Sequence, residues 1–142
     1  MNTVHLLAIF AENRTGQLAR VTRLLSQAAI NIRWVTIASS EAFGVVKLLV
    51  DRTDEAYQRL KQDGLPVTKV EVLAIEADDK PGGLFRVAEH LSRSQVNIEN
   101  ASGFVSNQRA VLLIEVKELA KARQILEAVP LRLLSQEEAL RF

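Results

Sequence analysis

The chain has 142 residues, 48% of them hydrophobic, and a net charge of +1 from 18 basic and 17 acidic side chains. That length suits one ordinary domain or two small ones, and the charge balance gives no electrostatic reason to expect nucleic acid or an anionic membrane as partner. With no cysteine, disulfides and thiolate metal sites are excluded.

Val4 to Ala11 is apolar and reads as a strand, with Leu7 and Ile9 toward the core and Leu6, Ala8 and Phe10 on the other face. That outer row, with Trp34 on an edge, predicts a self-associating protein, most simply a two-fold homodimer. Thr15 to Ala29 has helical spacing, with Leu18, Val21, Leu25 and Ala28 on one face and Asn13 or Thr15 as caps. Ile30 to Ser39 reads as extended with imperfect alternation, as a bulge would give. Phe43 to Asp51 is the clearest strand of this half, and Ser40-Glu41-Ala42 before it is short enough for a hairpin. Thr53 to Gln62 is helical with Ala56 and Leu60 inward, and Gly64 and Pro66 stop it. Val67 to Ala77 is extended.

From there the pattern repeats. Between Ala8–Val50 and Ala74–Val116, at a constant offset of 66, 14 of 43 positions are identical. Chance would give roughly three. Leu84, Val87 and Leu91 mark the next helix, with Pro81 in its first turn. Val96 to Ser106 and Arg109 to Lys117 are strands around Ser106-Asn107-Gln108. Leu119 to Val129 is a helix stopped by Pro130, Leu131 to Leu134 a short strand, and Gln136 to Phe142 a last helical turn. Glu76 stands where Phe10 stands, which suggests a face open to water. The fold class expected is α+β: two ferredoxin-like βαββαβ units in tandem, their antiparallel sheets side by side with helices on one face. Without a Gly- or Ser-rich linker, the copies divide at 1–69 and 70–142.

Little catalytic chemistry is present. His5 and His90 have no Cys or second His at metal-ligand spacing. No nucleophile elbow, phosphate loop or dinucleotide fingerprint occurs. Asp78-Asp79 reads as turn chemistry rather than an acid–base pair. No catalytic residue, metal or cofactor is therefore expected. RNA recognition would need aromatics on the central strands and a basic surface, and Arg109 to Lys117 has no aromatic. No apolar run approaches the roughly 20 residues of a transmembrane helix. Met1-Asn2-Thr3 leads straight into a strand without the features of a signal peptide, so a soluble cytoplasmic protein is expected.

The repeated loop carries the most information. Glu12-Asn13-Arg14-Thr15-Gly16-Gln17-Leu18 followed by Ala29-Ile30-Asn31-Ile32, and Asp79-Lys80-Pro81-Gly82-Gly83-Leu84 followed by Val96-Asn97-Ile98, resemble the ACT domain. That family comprises regulatory amino-acid-binding modules on enzymes of amino-acid metabolism. The resemblance covers nearly the whole chain and is similar to stand-alone tandem ACT proteins, with the Phe43-Gly44 element in the first copy. It implies a non-catalytic regulatory protein that binds a free amino acid at the interface between ACT units and acts on an enzyme or transcription partner. The alternative is a structural or interaction protein of paired ACT domains that has lost ligand binding.

The resemblance also implies the ligand-binding residues: a loop Asn from one domain and a strand-start Asn from its partner. Asn13 and Asn31 match in the first copy. Asn97 matches in the second, while Asp79 replaces the loop Asn; Thr15 replaces the usual Pro, which Pro81 keeps. Gly16, Gln17, Gly82 and Gly83 would offer backbone N–H groups to a carboxylate at a helix start. An acid should hold an α-ammonium better than an amide, so Asp79, Gly82 and Gly83 with Asn31 are expected to form the stronger site. The competing site joins Asn13, Gly16 and Gln17 to Asn97.

Overall fold

A computed structural model describes residues 2–142. The elements run β1 (Val4–Glu12), α1 (Gln17–Gln27), β2 (Ile32–Ser40), β3 (Phe43–Val50), α2 (Thr53–Gln62), β4 (Val67–Asp78), α3 (Gly83–Arg93), β5 (Ile98–Ser106), β6 (Arg109–Val116), α4 (Leu119–Glu127), β7 (Arg132–Leu134) and α5 (Gln136–Leu140). The chain divides into a first compact unit, His5–Val70, and a second that gathers Glu71–Phe142 with residues 2–4. Both follow the βαββαβ plan read from the sequence. Val67–Asp78 runs unbroken as β4, so it serves both copies.

In the first unit β3 pairs antiparallel with β1 on one side and β2 on the other. The Phe10 N–H donates to Pro66 O at 3.0 Å, tying β1 to the segment that leads into β4. Leu7 and Ile9 share a core with Val46, Leu48 and Val50 of β3, and with Val21, Leu24, Leu25, Ala56 and Leu60 of the two helices. Both helices therefore cover one face of the sheet. In the second unit the strand order is β7-β4-β6-β5. Leu73, Ile75, Ile114 and Leu133 pack there against Val87, Leu91, Ala122 and Leu126. The irregular alternation of β2 is a register shift between Ile32 and Trp34, repeated in β5 between Ile98 and Asn100.

Some expectations change. Leu24, not Leu18, completes the buried stripe of α1, and Leu84 is likewise exposed on α3. Both leucines sit in the first turn of their helix. α1 starts at Gln17 with Gly16 at the N-cap, in the left-handed region (φ 94°), and no side chain caps it. Asn13 does not cap because its amide donates to Glu41 O at 3.1 Å, while its N–H donates to Ala42 O at 2.7 Å. It braces the β2–β3 hairpin instead. Pro81 lies before the N-cap Gly82 rather than in the first turn of α3. Leu6 and Ala8 are each only 2% exposed, so Phe10, at 50%, is the one member of the outer row that reaches solvent. Glu76 does not face open water. Its side chain is 13% exposed and held by Arg109 and Arg132 at 2.6 and 2.9 Å.

Candidate functional site

The loop between β1 and α1 turns on Gly16, whose positive φ suits a residue without Cβ. Helix starts leave N–H groups without intrahelical acceptors. Here the Gln17 N–H reaches Arg14 O at 3.4 Å, and those of Leu18 and Ala19 have no acceptor among the described residues. The same holds for Leu84 and Phe85 of α3, after Gly82 (φ 90°). Each copy thus presents free donors at the positive end of a helix.

Beside the first of these starts lies a cavity of about 680 Å³, confined to the first unit. One wall is apolar: Phe10 and Ala11 of β1, Phe43 and Val45 of β3, with Leu65 and Pro66. Ala38 to Ser40 of β2 and Gly44 also line it. The polar side comes from Glu12, Arg14, Gln17 and Arg20. Arg14 pairs with Glu12 at 3.4 Å, and Gln17 Oε1 can accept from Arg14 Nε at 2.7 Å in the amide orientation that satisfies both. Arg20 is held by Asp63 through the carboxylate at 3.1 Å and the carbonyl at 3.2 Å. Two guanidiniums thus stand in the lining, each with a partly exposed carboxylate partner.

The strand-start asparagines lie elsewhere. Asn31 belongs to a shallow depression with Thr22, Ser26 and Ile32, and Asn97 to its repeat image with Ala88, Ser92 and Ile98. These are at the far end of an 11-residue helix from the glycine loop, a separation of roughly 16 Å at 1.5 Å per residue. Within one unit, the loop and strand-start groups cannot touch one small ligand together. The Asn31 backbone is pinned by Asp51, with Asn31 N–H to Asp51 Oδ1 and Asp51 N–H to Asn31 O both at 3.1 Å. Neither asparagine's side-chain amide makes a hydrogen bond among the described residues. Of the expected residues, Gln17 lines the cavity, and Asn13, Thr15 and Gly16 form the loop beside it without lining it. Asp79, Pro81, Gly82 and Gly83 form the equivalent loop of the second unit, where Asp78 rather than Asp79 takes the ion pairs, with Lys80 and Arg86. Sequence reasoning missed Phe10, Phe43, Arg14 and Arg20 as cavity residues. The only signal was the Phe43-Gly44 pair beside an arginine-bearing loop.

No group of His, Asp and Glu among the described residues is placed to hold a metal ion, and no described helix is long and apolar enough to cross a membrane.

The geometry agrees with comparisons to known proteins. The family model described as "ACT domain pair" matches residues 2–141. A protein of Bacteroides thetaiotaomicron, BT0572, has a crystal structure similar to this chain with a TM-score of 0.94 and 30% identity, covering 99% of this chain and 98% of that one. The regulatory subunit of aspartate kinase from Thermus thermophilus shares the fold at 14% identity and a TM-score of 0.62, over 89% of this chain and 92% of its own. The corresponding subunit from Thermus flavus gives 14% and 0.56, over 88% and 90%. No curated protein matches this chain. With a family model spanning nearly its whole length and the βαββαβ plan in both copies, the chain belongs to the ACT family, as a pair of ACT domains.

Proposed function

We propose that this ACT domain pair is a non-catalytic regulatory protein that binds a small amino acid, with the first-copy loop as the principal contact. The observation that carries this reading is the cavity beside the uncapped start of α1. Its volume lies within the range of small-molecule sites, and its lining is mostly apolar with a few polar groups at one side. An α-carboxylate would accept from the free N–H groups of Leu18 and Ala19 and from Arg14. An apolar side chain would lie along Phe10, Phe43 and Pro66. The acid at Asp79, as a partner for the α-ammonium, favours the second loop with Gly82 and Gly83; the cavity beside the Arg14 loop supports the first loop instead. Asn13 and Thr15 would shape that loop. Asn31 and Asn97 would take part only from a paired module, as the family resemblance suggests.

A thermal-shift screen against the twenty amino acids tests the reading. A ligand at 100 times its Kd stabilises the folded state by about 2.7 kcal/mol. Calorimetry on Arg14→Ala, Asn13→Ala and Asp79→Ala then locates the site. Loss of a charge-assisted hydrogen bond should cost Arg14→Ala at least about 1.5 kcal/mol of binding, with Asp79→Ala unchanged. Silence across the screen would favour an interaction protein without a ligand. Full loss in Asp79→Ala with Arg14→Ala unaffected would move the site to the second loop.

A further inference from the structure

The two copies differ in chemistry at several positions of this cavity. The 66-residue offset persists to the end of the fold, since α2 starts at Thr53 and α4 at Leu119. It therefore maps four cavity residues of the first unit onto the second: Phe10 onto Glu76, Ser40 onto Ser106, Phe43 onto Arg109 and Pro66 onto Arg132. All four counterparts are engaged by, or linked to, the segment Ser135–Phe142. Ser106 Oγ donates to Phe142 O at 3.1 Å. The Arg109 guanidinium lies 5.0 Å from the centre of the Phe142 ring. Glu76 binds both Arg109 and Arg132, and Arg132 reaches Glu138 of α5 at 2.6 Å. α5 is itself fixed by a capping box, in which the Ser135 N–H donates to Glu138 and the Glu138 N–H to Ser135 Oγ.

We propose that Ser135–Phe142 is a tethered occupant of a second, latent ligand site on the second unit, and that when it lets go the site takes an aromatic carboxylate. Phe142 shows the chemistry: a ring on Arg109 and an oxygen on Ser106. With the segment displaced, two guanidiniums, Arg109 and Arg132, face the single carboxylate of Glu76. The vacated surface then carries an excess positive charge beside a place for a ring, where an arginine–aromatic contact and a charge-assisted hydrogen bond would act together. In the intact chain the tether supplies a high local concentration of the competing ring. A site open one part in about 100 shows an apparent affinity about 100-fold weaker than its intrinsic one. The inference extends the reading of the first-unit cavity as a ligand site, and its test reads the two places separately.

The probe is N-acetyl-phenylalanine, titrated into the full chain and followed by residue-resolved NMR. Amides of Ser106 and Arg109 report the latent site, and those of Phe43 and Gly44 report the first-unit cavity. In Phe142→Ala the Ser106 and Arg109 signals should shift with an affinity at least about tenfold tighter than in the unaltered chain, as fractional opening requires. Glu138→Gln, which loosens the tether without emptying the packing, should lie between the two. It decides the matter if Phe142→Ala misfolds. Unmoved Ser106 and Arg109 signals in the loosened chains at saturating probe, or equal shifts with and without Phe142, would overturn the proposal. Shifts at Phe43 and Gly44 alone would overturn the latent site; clear Ser106 and Arg109 shifts without them would support it and leave the first-unit site to the amino-acid screen.

Discussion

Gly83 offers a sharp test of how the helix start is built. A Cβ placed there would lie 2.2 Å from the carbonyl oxygen of Asp78. Asp78 is the last residue of β4 and pairs with Arg109 in the ladder, so the atom in the way is ordered backbone and not a flexible side-chain tip. Relief requires the β4 end and the first turn of α3 to separate by about 1 Å. Overpacking of this kind costs about 1–3 kcal/mol. Alanine's better helix propensity returns at most about 1 kcal/mol. Gly83→Ala is therefore expected to destabilise by about 1 kcal/mol. Its repeat partner Gln17 already carries a side chain, so Gln17→Ala should stay within about 0.5 kcal/mol, as surface substitutions do. Urea unfolding of the three proteins, followed by circular dichroism, gives both differences. A Gly83→Ala protein as stable as the parent would refute the reasoning, because the close approach would then carry no constraint.

Two further outcomes are expected. The Ser135 N–H, followed by Arg132, holds the Glu138 carboxyl below its ordinary range. A folded pKa below the unfolded one gives stability that is present above the ordinary carboxylate range and lost as pH falls through the folded value. The groups involved are Ser135 and Arg132, with Glu76 and Arg109 reached through Arg132. Amide exchange protection in α5 should accordingly drop as pH falls through and below the ordinary carboxylate range, and Glu138→Gln should abolish that dependence; an unchanged profile in Glu138→Gln would assign it elsewhere. Phe10 and Phe43 are 50% and 70% exposed, and an apolar rim of this size favours self-association. Sedimentation at tens of micromolar should give a dimer that Phe10→Asp weakens, and a monomer throughout would end that expectation.

The order and type of the elements were legible because each signal was local. Helical spacing in Val21, Leu25, Val87 and Leu91, and alternation in Val46, Leu48 and Val50, need no knowledge of the partner element. The repeat strengthened these readings, since two copies err independently. What was hidden depends on distant contacts. Asn13 looked like a cap, yet its amide is used by Glu41, 28 residues away. Glu76 looked solvated, yet its partners lie 33 and 56 residues on. Leu6 and Ala8 looked like a free surface because alternation assigns a face but not what covers it. The loop of the site was legible for the same local reason as the helices. The cavity was not, because its walls come from β1, β2, β3, α1 and the Gly64–Pro66 turn, and only folding brings these together.

The divergence between the copies has a physical logic. Exchange of Phe10 and Phe43 for Glu76 and Arg109 turns an apolar wall into a charged one. An apolar wall is poorly satisfied by water and well satisfied by a ligand side chain, where each 100 Å² removed from solvent contributes about 2.5 kcal/mol. A charged wall gains nothing from such a side chain. It holds a segment that brings its own charge and ring, as Glu138 and Phe142 do. Glu76 can sit at 13% exposure because two guanidiniums saturate its oxygens, while their own exposure, above one half, spares most of the desolvation cost. Removing one arginine would leave a poorly hydrated carboxylate with half its partners. The same backbone plan therefore supports an open cavity in one copy and a closed latch in the other, through the side-chain positions 10/76, 43/109 and 66/132 together with the segment Ser135–Phe142 that the second copy's residues hold.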